Sequence, residues 1–301
     1  MISMLSAASS ALFTWNLVRN LGSRGILDTE AFAGTADGLT LAIPSRNELN
    51  NLQELLPQLY TQNLKPEKIM VLDDQSDDGS SELLDSYEQE NENFSMLKGK
   101  PMPQFWRGKV WALHQILKNV ETEYLCLLDA DVRLLSDDSL GLLWAQQLKQ
   151  KSEGKAESLL SVFPTPKVLQ GAGLLVDQVF THLYYFMPSF EPLKSSNSAV
   201  AACGQVMLYH VPTLKKLGGF GRIKNSTHDG LKMARIFKGS GYLVKSFDGS
   251  KNYECLYYKS FKEAFSGFSR NVFEADGSVL GSVAISAVLF WVFVMPFVLY
   301  H

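Results

Sequence analysis

The sequence predicts an α/β protein: a mostly parallel sheet flanked by helices on both faces, followed by a C-terminal transmembrane helix. Three observations carry this expectation. Short apolar runs of strand length alternate with stretches of helical periodicity from Leu39 to Phe163. The strand runs are continuously apolar rather than alternating, as expected for strands covered on both faces. From Gly277 to Tyr300 no residue is charged.

Taken in order, Leu39–Ile43 is a strand closed by Pro44, and Glu48–Gln62 has helical spacing through Leu52, Leu55, Leu56 and Leu59 despite Pro57. Lys68–Leu72 is a second strand ending in carboxylates, and Gly79–Glu90 the helix after it. Lys109–Asn119 reads as a helix, Tyr124–Leu128 as a buried strand, Asp137–Lys149 as a helix, and Leu159–Phe163 as a strand stopped by Pro164 and Pro166.

The C-terminal run Val279–Tyr300, as a helix, is about 33 Å long at 1.5 Å per residue, enough for a hydrocarbon core of about 30 Å. A buried core helix is the alternative, but no polar face breaks the run, and Pro296 is compatible with a span. Because the chain stops at His301 directly after it, truncation or missing further spans are expected. Ile2–Val18 is mildly apolar, carries serines, and has its charges (Arg19, Arg24) after rather than before it. That order fits an interfacial helix or weak anchor, not a cleaved signal peptide. With Lys259, Lys262 and Arg270 before the last segment, the positive-inside rule places the globular part in the cytoplasm. The expected division is therefore a membrane-associated segment over 1–36, a globular domain over 37–276 in two halves (37–135 and 136–276), and a span over 277–301.

Composition narrows the partners. The 301 residues are 46% hydrophobic and 20% charged with a net charge of −3, which supports a substantial core and argues against a nucleic-acid binder. Charge is segregated: Asp73–Glu92 holds nine carboxylates and no Lys or Arg, whereas Pro212–Arg270 holds twelve basic and four acidic residues. Cys126, Cys203 and Cys255 are an odd number without Cys-x-x-Cys pairs, so neither a disulfide framework nor a zinc site is expected, and a reducing compartment is favoured.

In an open parallel sheet, ligands bind beyond the carboxyl ends of the strands. Three such ends carry polar groups: Pro44-Ser45-Arg46-Asn47-Glu48, Asp73-Asp74-Gln75-Ser76-Asp77-Asp78-Gly79, and Asp129-Ala130-Asp131. Helix capping accounts for Ser76, Asp77 and Asp78. It does not account for Asp129 and Asp131, which at i and i+2 of extended backbone point to one side and repel unless a cation or donor separates them. Oxygen ligands of this kind suit Mg²⁺ or Mn²⁺.

At these residues the sequence resembles glycosyltransferase family 2, the inverting, nucleotide-sugar-dependent enzymes of the GT-A fold, over roughly Leu39 to Asp276. Pro44-x-Arg46-Asn47-Glu48 and Val71-Leu72-Asp73-Asp74-x-Ser76-x-Asp78-Gly79 are similar to the family's nucleotide-binding segments. The resemblance implies that Asp74 reads uracil, and that Pro44, Arg46 and Glu48 belong to the donor site. Asp129-Ala130-Asp131 resembles the family's metal motif, with Asp131 the ligand and Asp129 near the ribose or metal waters. Trp106-Arg107-Gly108-Lys109-x-x-Ala112 is similar to a segment of bacterial members acting on hopanoid, carotenoid and ceramide-type lipids; Arg46, Lys109 and Arg270 are candidates for phosphate or acceptor contacts, with Lys109 assigned to the donor site. Cys203-Gly204-Gln205 matches the lining of the donor-sugar pocket, which assigns Gly204 and Gln205 to it. Gly218-Gly219-Phe220 is read as a structural turn.

Ser226-Thr227-His228-Asp229-Gly230-Leu231 resembles the acceptor-site acidic motif, with His228 where the family commonly has Glu, and Asp229 as general base; a helix N-cap is the alternative for Asp229. The Gln-x-x-Arg-Trp of processive members is absent, and Phe268-Ser269-Arg270-Asn271 stands in its place. The resemblance thus implies transfer of a sugar from a UDP-sugar to a membrane lipid or other hydrophobic acceptor, with a divalent cation and without processivity. The aromatic stretch Leu174–Phe190 is either an interfacial lipid guide or ordinary core. A catalytically inactive nucleotide-sugar-binding scaffold and a processive polysaccharide synthase are the alternatives. A nucleotidyltransferase would need a Gly-rich, Lys-containing loop after the first strand, which Pro44–Glu48 is not.

Overall fold

A computed structural model describes residues 25–27, 29–167, 200 and 202–256, together with positions 262 and 287. The expectations for Ile2–Val18, Leu174–Phe190, Phe268–Asn271 and Val279–Tyr300 lie outside the described residues. Among the described residues no helix is long and apolar enough to cross a membrane. Gly25–Lys167 and Ser195–Tyr257 form one compact unit.

Its elements follow the predicted alternation. The short strand β1 (Gly25–Ile26) precedes β2 (Gly34–Ser45), which runs across the boundary expected at residue 36. Helix α1 (Leu49–Thr61) continues through Pro57, and β3 (Leu64–Asp73), α2 (Ser80–Glu90) and β4 (Phe94–Lys98) complete the first half. Then come α3 (Gly108–Asn119), β5 (Tyr124–Leu128), β6 (Val132–Leu134), α4 (Ser139–Ser152), β7 (Leu159–Phe163) and β8 (Thr165–Lys167). The last part holds β9 (Val206–His210), α5 (Val211–Lys216), a 3₁₀ turn over Gly219–Ile223, α6 (Asp229–Gly239), β10 (Val244–Asp248) and β11 (Tyr253–Leu256).

Eight strands form one sheet in the order β1-β10-β7-β9-β5-β2-β3-β4. All pairs are parallel except those of β9, which runs antiparallel between β5 and β7. Side chains along each strand alternate between two buried layers. Leu41, Ile43, Cys126 and Leu128 face a layer with Leu52, Leu55, Leu56 and Leu59 of α1 and Trp144 of α4. Ala42, Leu125 and Leu127 face the other, with Val110, Leu113 and Ile116 of α3 and Met233 and Phe237 of α6. The mostly parallel, doubly covered sheet is therefore as expected, with β9 the exception.

A second sheet of three strands, β6-β11-β8, lies beyond the ends of the first. It fixes the chain just after Asp131: Val132 pairs with Cys255, and the Leu256 amide donates to the Asp131 carbonyl at 2.9 Å. Arg133, buried on β6, holds the same segment from the other side. Its guanidinium donates to the Ala130 carbonyl at 3.2 Å, to Asn51 Oδ1 at 2.7 Å and to Glu54 Oε2 at 2.7 Å.

Candidate active site

Strands β5, β2 and β3 are neighbours, so their carboxyl ends open side by side into one cleft of about 260 Å³. Pro44, Arg46, Glu48, Asp74, Lys109, Asp129 and Asp131 all line it, together with Ser45, Gly108, Ala112 and Ala130. Three loops distant in sequence thus meet because parallel strands all end at the same edge.

The first two loops are stapled to each other. The Asn47 amide donates to Ser76 Oγ at 2.9 Å, the Asp77 amide to Asn47 Oδ1 at 2.9 Å, and the Asp74 amide to the Ser45 carbonyl at 2.8 Å. Asp78 serves two helices at once, accepting from the Leu49 amide at 2.9 Å and from the Ser80 amide at 3.0 Å. Capping therefore explains Asp78, while Ser76 and Asp77 join the staple. The paired aspartates divide their work. Asp73 is satisfied internally by the Ser76 amide at 3.1 Å and by the Ser81 hydroxyl. Asp74 turns into the cleft, where its Oδ1 is buried without a hydrogen-bond partner and Oδ2 lies 3.8 Å from Arg46 Nη1. Burial raises the Asp74 carboxyl above the ordinary aspartate range, against the opposing pull of Arg46.

At the end of β5, Asp129 accepts a hydrogen bond from Lys109 Nζ at 2.7 Å, and its amide donates to the Gln205 carbonyl at 2.9 Å. Asp131 has one buried carboxylate oxygen, Oδ1, without a partner, and its carboxylate interacts with the Cys255 thiol. Burial, reinforced by the negative charge of Asp129, pushes its pKa up to about 7. An orphaned oxygen on an all-oxygen pair whose ionisation is disfavoured fits a divalent cation, which would relieve both conditions. Among the described residues no group of three or more His, Cys, Asp or Glu gathers as a complete cage. Asp131, with Asp129 beside it, is the pair that could ligate such a cation, the rest of whose shell would come from water and substrate phosphates.

Asp229 occupies the first helical position of α6, and His228 is the N-cap. The N-cap alternative thus applies to the neighbouring residue. The Asp229 side chain is buried, with Oδ2 3.7 Å from Lys109 Nζ. Lys109, in the first turn of α3, therefore stands between Asp129 and Asp229. Burial alone would lower the Lys109 pKa, but the charges of Asp129 and Asp229 outweigh it and raise it, so the ammonium stays protonated. Gly204 passes so close that a Cβ there would lie 3.2 and 3.3 Å from the Asp229 carboxylate oxygens. A Cβ on Gly230 would come within 2.6 Å of the Gly204 Cα. Gly230 has no room for a side chain, and one on Gly204 would press on the Asp229 carboxylate, so the 204/230 crossing helps to seat Asp229.

All ten site residues expected from the sequence are thus linked: seven line the cleft, and Asp229, Gly204 and Gln205 adjoin it through Lys109 and Asp129. Sequence reasoning missed Arg133 and Cys255. Cys255 Sγ accepts from Gln205 Nε2 at 2.7 Å, and Cys203 Sγ donates to Gln205 Oε1 at 3.0 Å, so the Gln205 amide spans two thiols that the sequence shows only as unpaired cysteines. The single signal for Arg133 was a charged residue directly after an apolar, motif-bearing strand.

Residues 40–151, which contain all three loops, match the family model described as Glycosyl transferase family 2. This segment is a family 2 glycosyltransferase domain. Over 260 residues the chain is 24% identical to 4,4'-diaponeurosporenoate glycosyltransferase of Staphylococcus aureus (strain bovine RF122 / ET3-1), covering 85% of this chain and 66% of that one. The protein of that name from Staphylococcus haemolyticus (strain JCSC1435) is 22% identical over 259 residues, covering 86% and 67%. The chain spans about two thirds of the length of these relatives. Among solved structures, a mannosyltransferase from Pyrobaculum calidifontis in complex with GDP-Man and Mn²⁺ superposes with a TM-score of 0.57 at 16% identity, covering 91% of this chain and 74% of that one. At that identity the likeness concerns the fold, which is the GT-A-like α/β arrangement.

Proposed function

We propose that this protein is an inverting, non-processive, cation-dependent glycosyltransferase that moves a sugar from a UDP-sugar to a membrane lipid or other hydrophobic acceptor. The observation that carries the reading is the convergence of Asp74, Asp129, Asp131 and Lys109 in one cleft with Asp229 directly behind Lys109. The family 2 domain supports sugar transfer, and the carotenoid-derived acceptor in the names of the staphylococcal relatives supports a lipid-like acceptor.

Asp74, orphaned and facing the cleft, is the acceptor for a donor N–H of the base. Asp131, with Asp129, would hold the divalent cation; when bound, it supplies neutralisation of charge on the diphosphate leaving group. Lys109 presents a fixed positive charge at the N-terminus of α3, where the free backbone amides and the helix dipole also favour phosphate. Asp229 takes the proton of the acceptor hydroxyl. Attack by that hydroxyl on the sugar face opposite the departing diphosphate would invert the anomeric configuration, which is the outcome the family 2 resemblance implies. Proton removal by a positioned base contributes roughly 10²–10⁴-fold. The globular unit works at the cytoplasmic face of the membrane in this reading.

The test is incubation of membranes carrying the protein with a panel of labelled nucleotide sugars, followed by lipid extraction and mass analysis. A new glycolipid of inverted anomeric configuration is expected. Binding of UDP and Mn²⁺ without label entering any lipid or releasing as free sugar would identify an inactive scaffold instead.

A further inference from the structure

The segment between β4 and α3, Gly99–Arg107, is not used by the catalytic reading beyond its last residues. It carries an exposed apolar tip: Phe105 is 72% exposed and Met102 52% exposed. Phe105 also holds a φ of 68°, the left-handed region that a bulky residue adopts only at a cost. A strained aromatic pointed at water is unfavourable twice over unless something other than water meets it.

The loop is built to hold this shape. The Gly99 amide donates to the Asp73 carbonyl at 2.7 Å, and the Lys100 amide to Gln115 Oε1 at 2.7 Å. Trp111 Nε1 donates to the Lys100 carbonyl at 2.8 Å, and the Arg107 amide to the Lys224 carbonyl at 2.8 Å. Pro101 and Pro103 stiffen the turn. Behind the tip, Trp106 packs edge-on against Trp111 with ring centroids 5.0 Å apart. The root touches the nucleotide side of the cleft: a Cβ on Gly99 would stand 3.1 Å from Asp74 Oδ1.

The loop and the segment it is bonded to carry charge of one sign. Lys98 at the end of β4, Lys100 and Arg107 on the loop, and Arg222 and Lys224 on the segment it is bonded to are all exposed, and neither 98–107 nor 222–224 contains an acidic residue. An exposed apolar point on segments that carry only basic charges matches an anionic bilayer, whose headgroups attract the cations while the acyl boundary accepts the point.

We propose that Gly99–Arg107 is a docking loop for an anionic lipid surface, with Met102 and Phe105 entering the interface. Docked so, the cleft mouth faces the bilayer, and an acceptor hydroxyl reaches the site without its apolar body leaving the lipid. The inference rests on the reading that the protein works at a membrane, and it assigns the contact to this loop rather than to a chain terminus.

The test places an environment-sensitive fluorophore at Gln104→Cys in the full chain reconstituted with vesicles, beside a control label at the exposed Glu153→Cys and unsubstituted protein carried through labelling as a blank. Flotation reports whether the protein is on the membrane at all, and spin-labelled lipids report whether the loop is. The expected result in vesicles containing phosphatidylglycerol is a blue shift and quenching at 104 but not 153, as for a group about 5–10 Å into the headgroup–acyl boundary. Quenching should be lost in Met102→Ser/Phe105→Ser and in vesicles of phosphatidylcholine alone. Floating protein whose 104 label stays as water-exposed as the 153 label overturns the docking loop while leaving membrane association intact. Equal quenching in neutral and anionic vesicles overturns the assignment to anionic lipid. Protein that does not float overturns the membrane reading beneath both.

Discussion

Replacing Asp229 by Asn separates a general base from a buried structural carboxylate. The change keeps size and shape and removes the proton acceptor. Its structural cost is small for reasons visible around the residue. The N-cap of α6 is His228, so no cap is lost. Lys109 loses an ion-pair partner at 3.7 Å but keeps Asp129 at 2.7 Å, so its ammonium is not left unpaired. The Asn side-chain oxygen can still accept from Lys109, so the buried position is not left without a partner. The chemical cost is much larger. General-base catalysis contributes roughly 10²–10⁴-fold, which at 1.36 kcal/mol per decade is about 3–5 kcal/mol on the barrier. We therefore predict that Asp229→Asn unfolds within a few degrees of wild type, binds UDP with unchanged affinity, and transfers sugar to lipid at least about 100-fold more slowly. The assay is initial-rate transfer of labelled sugar into extractable lipid, with calorimetric UDP binding and thermal denaturation run beside it. A variant that transfers at more than about a tenth of the wild-type rate refutes the base assignment. A variant that also loses UDP affinity places Asp229 on the donor instead.

Other outcomes follow from the same geometry. Asp131→Asn should abolish the Mn²⁺-dependent part of UDP affinity in calorimetry, and equal affinity in both proteins with and without Mn²⁺ would remove the metal role. Gly230→Ala forces a Cβ to within 2.6 Å of the Gly204 backbone, so thermal or urea denaturation should show a loss of about 1–3 kcal/mol, the usual cost of overpacking; an unchanged midpoint would mean that the crossing relaxes freely. Asp78→Ala removes the carboxylate that caps both α1 and α2 and should cost about 1–2 kcal/mol at neutral pH. Although its slight burial acts the other way, hydrogen bonds from Ser80 and the Leu49 amide lower the Asp78 pKa. That stabilisation is present above the unfolded-state pKa of about 3.9 and fades as pH falls through the lower folded value. The difference between the two proteins should therefore narrow in acid, and a gap that is constant from pH 7 to below 3 would contradict it.

The order of the expected strands and helices from Leu39 to Phe163, which omits only β4 and β6, and the cleft they form were determined by local sequence. Buried parallel strands must be continuously apolar, and their polar carboxyl ends must open on one edge, so Pro44–Glu48, Asp73–Gly79 and Asp129–Asp131 announced the site by position alone. The tertiary structure decided what local pattern does not encode. Strands β4, β10 and β11 are short and mixed in polarity, and they exist because a neighbouring strand supplies their hydrogen bonds. The antiparallel insertion of β9 places Gln205 against Asp129, and the smaller sheet places Cys255 against Asp131. The bridge from Asp129 through Lys109 to Asp229 joins a strand end to the first turns of two helices on one layer of the sheet. Each residue could be named from its own segment. Their meeting depended on how the layers pack, because a charge chooses its partner by distance in space and not by separation along the chain.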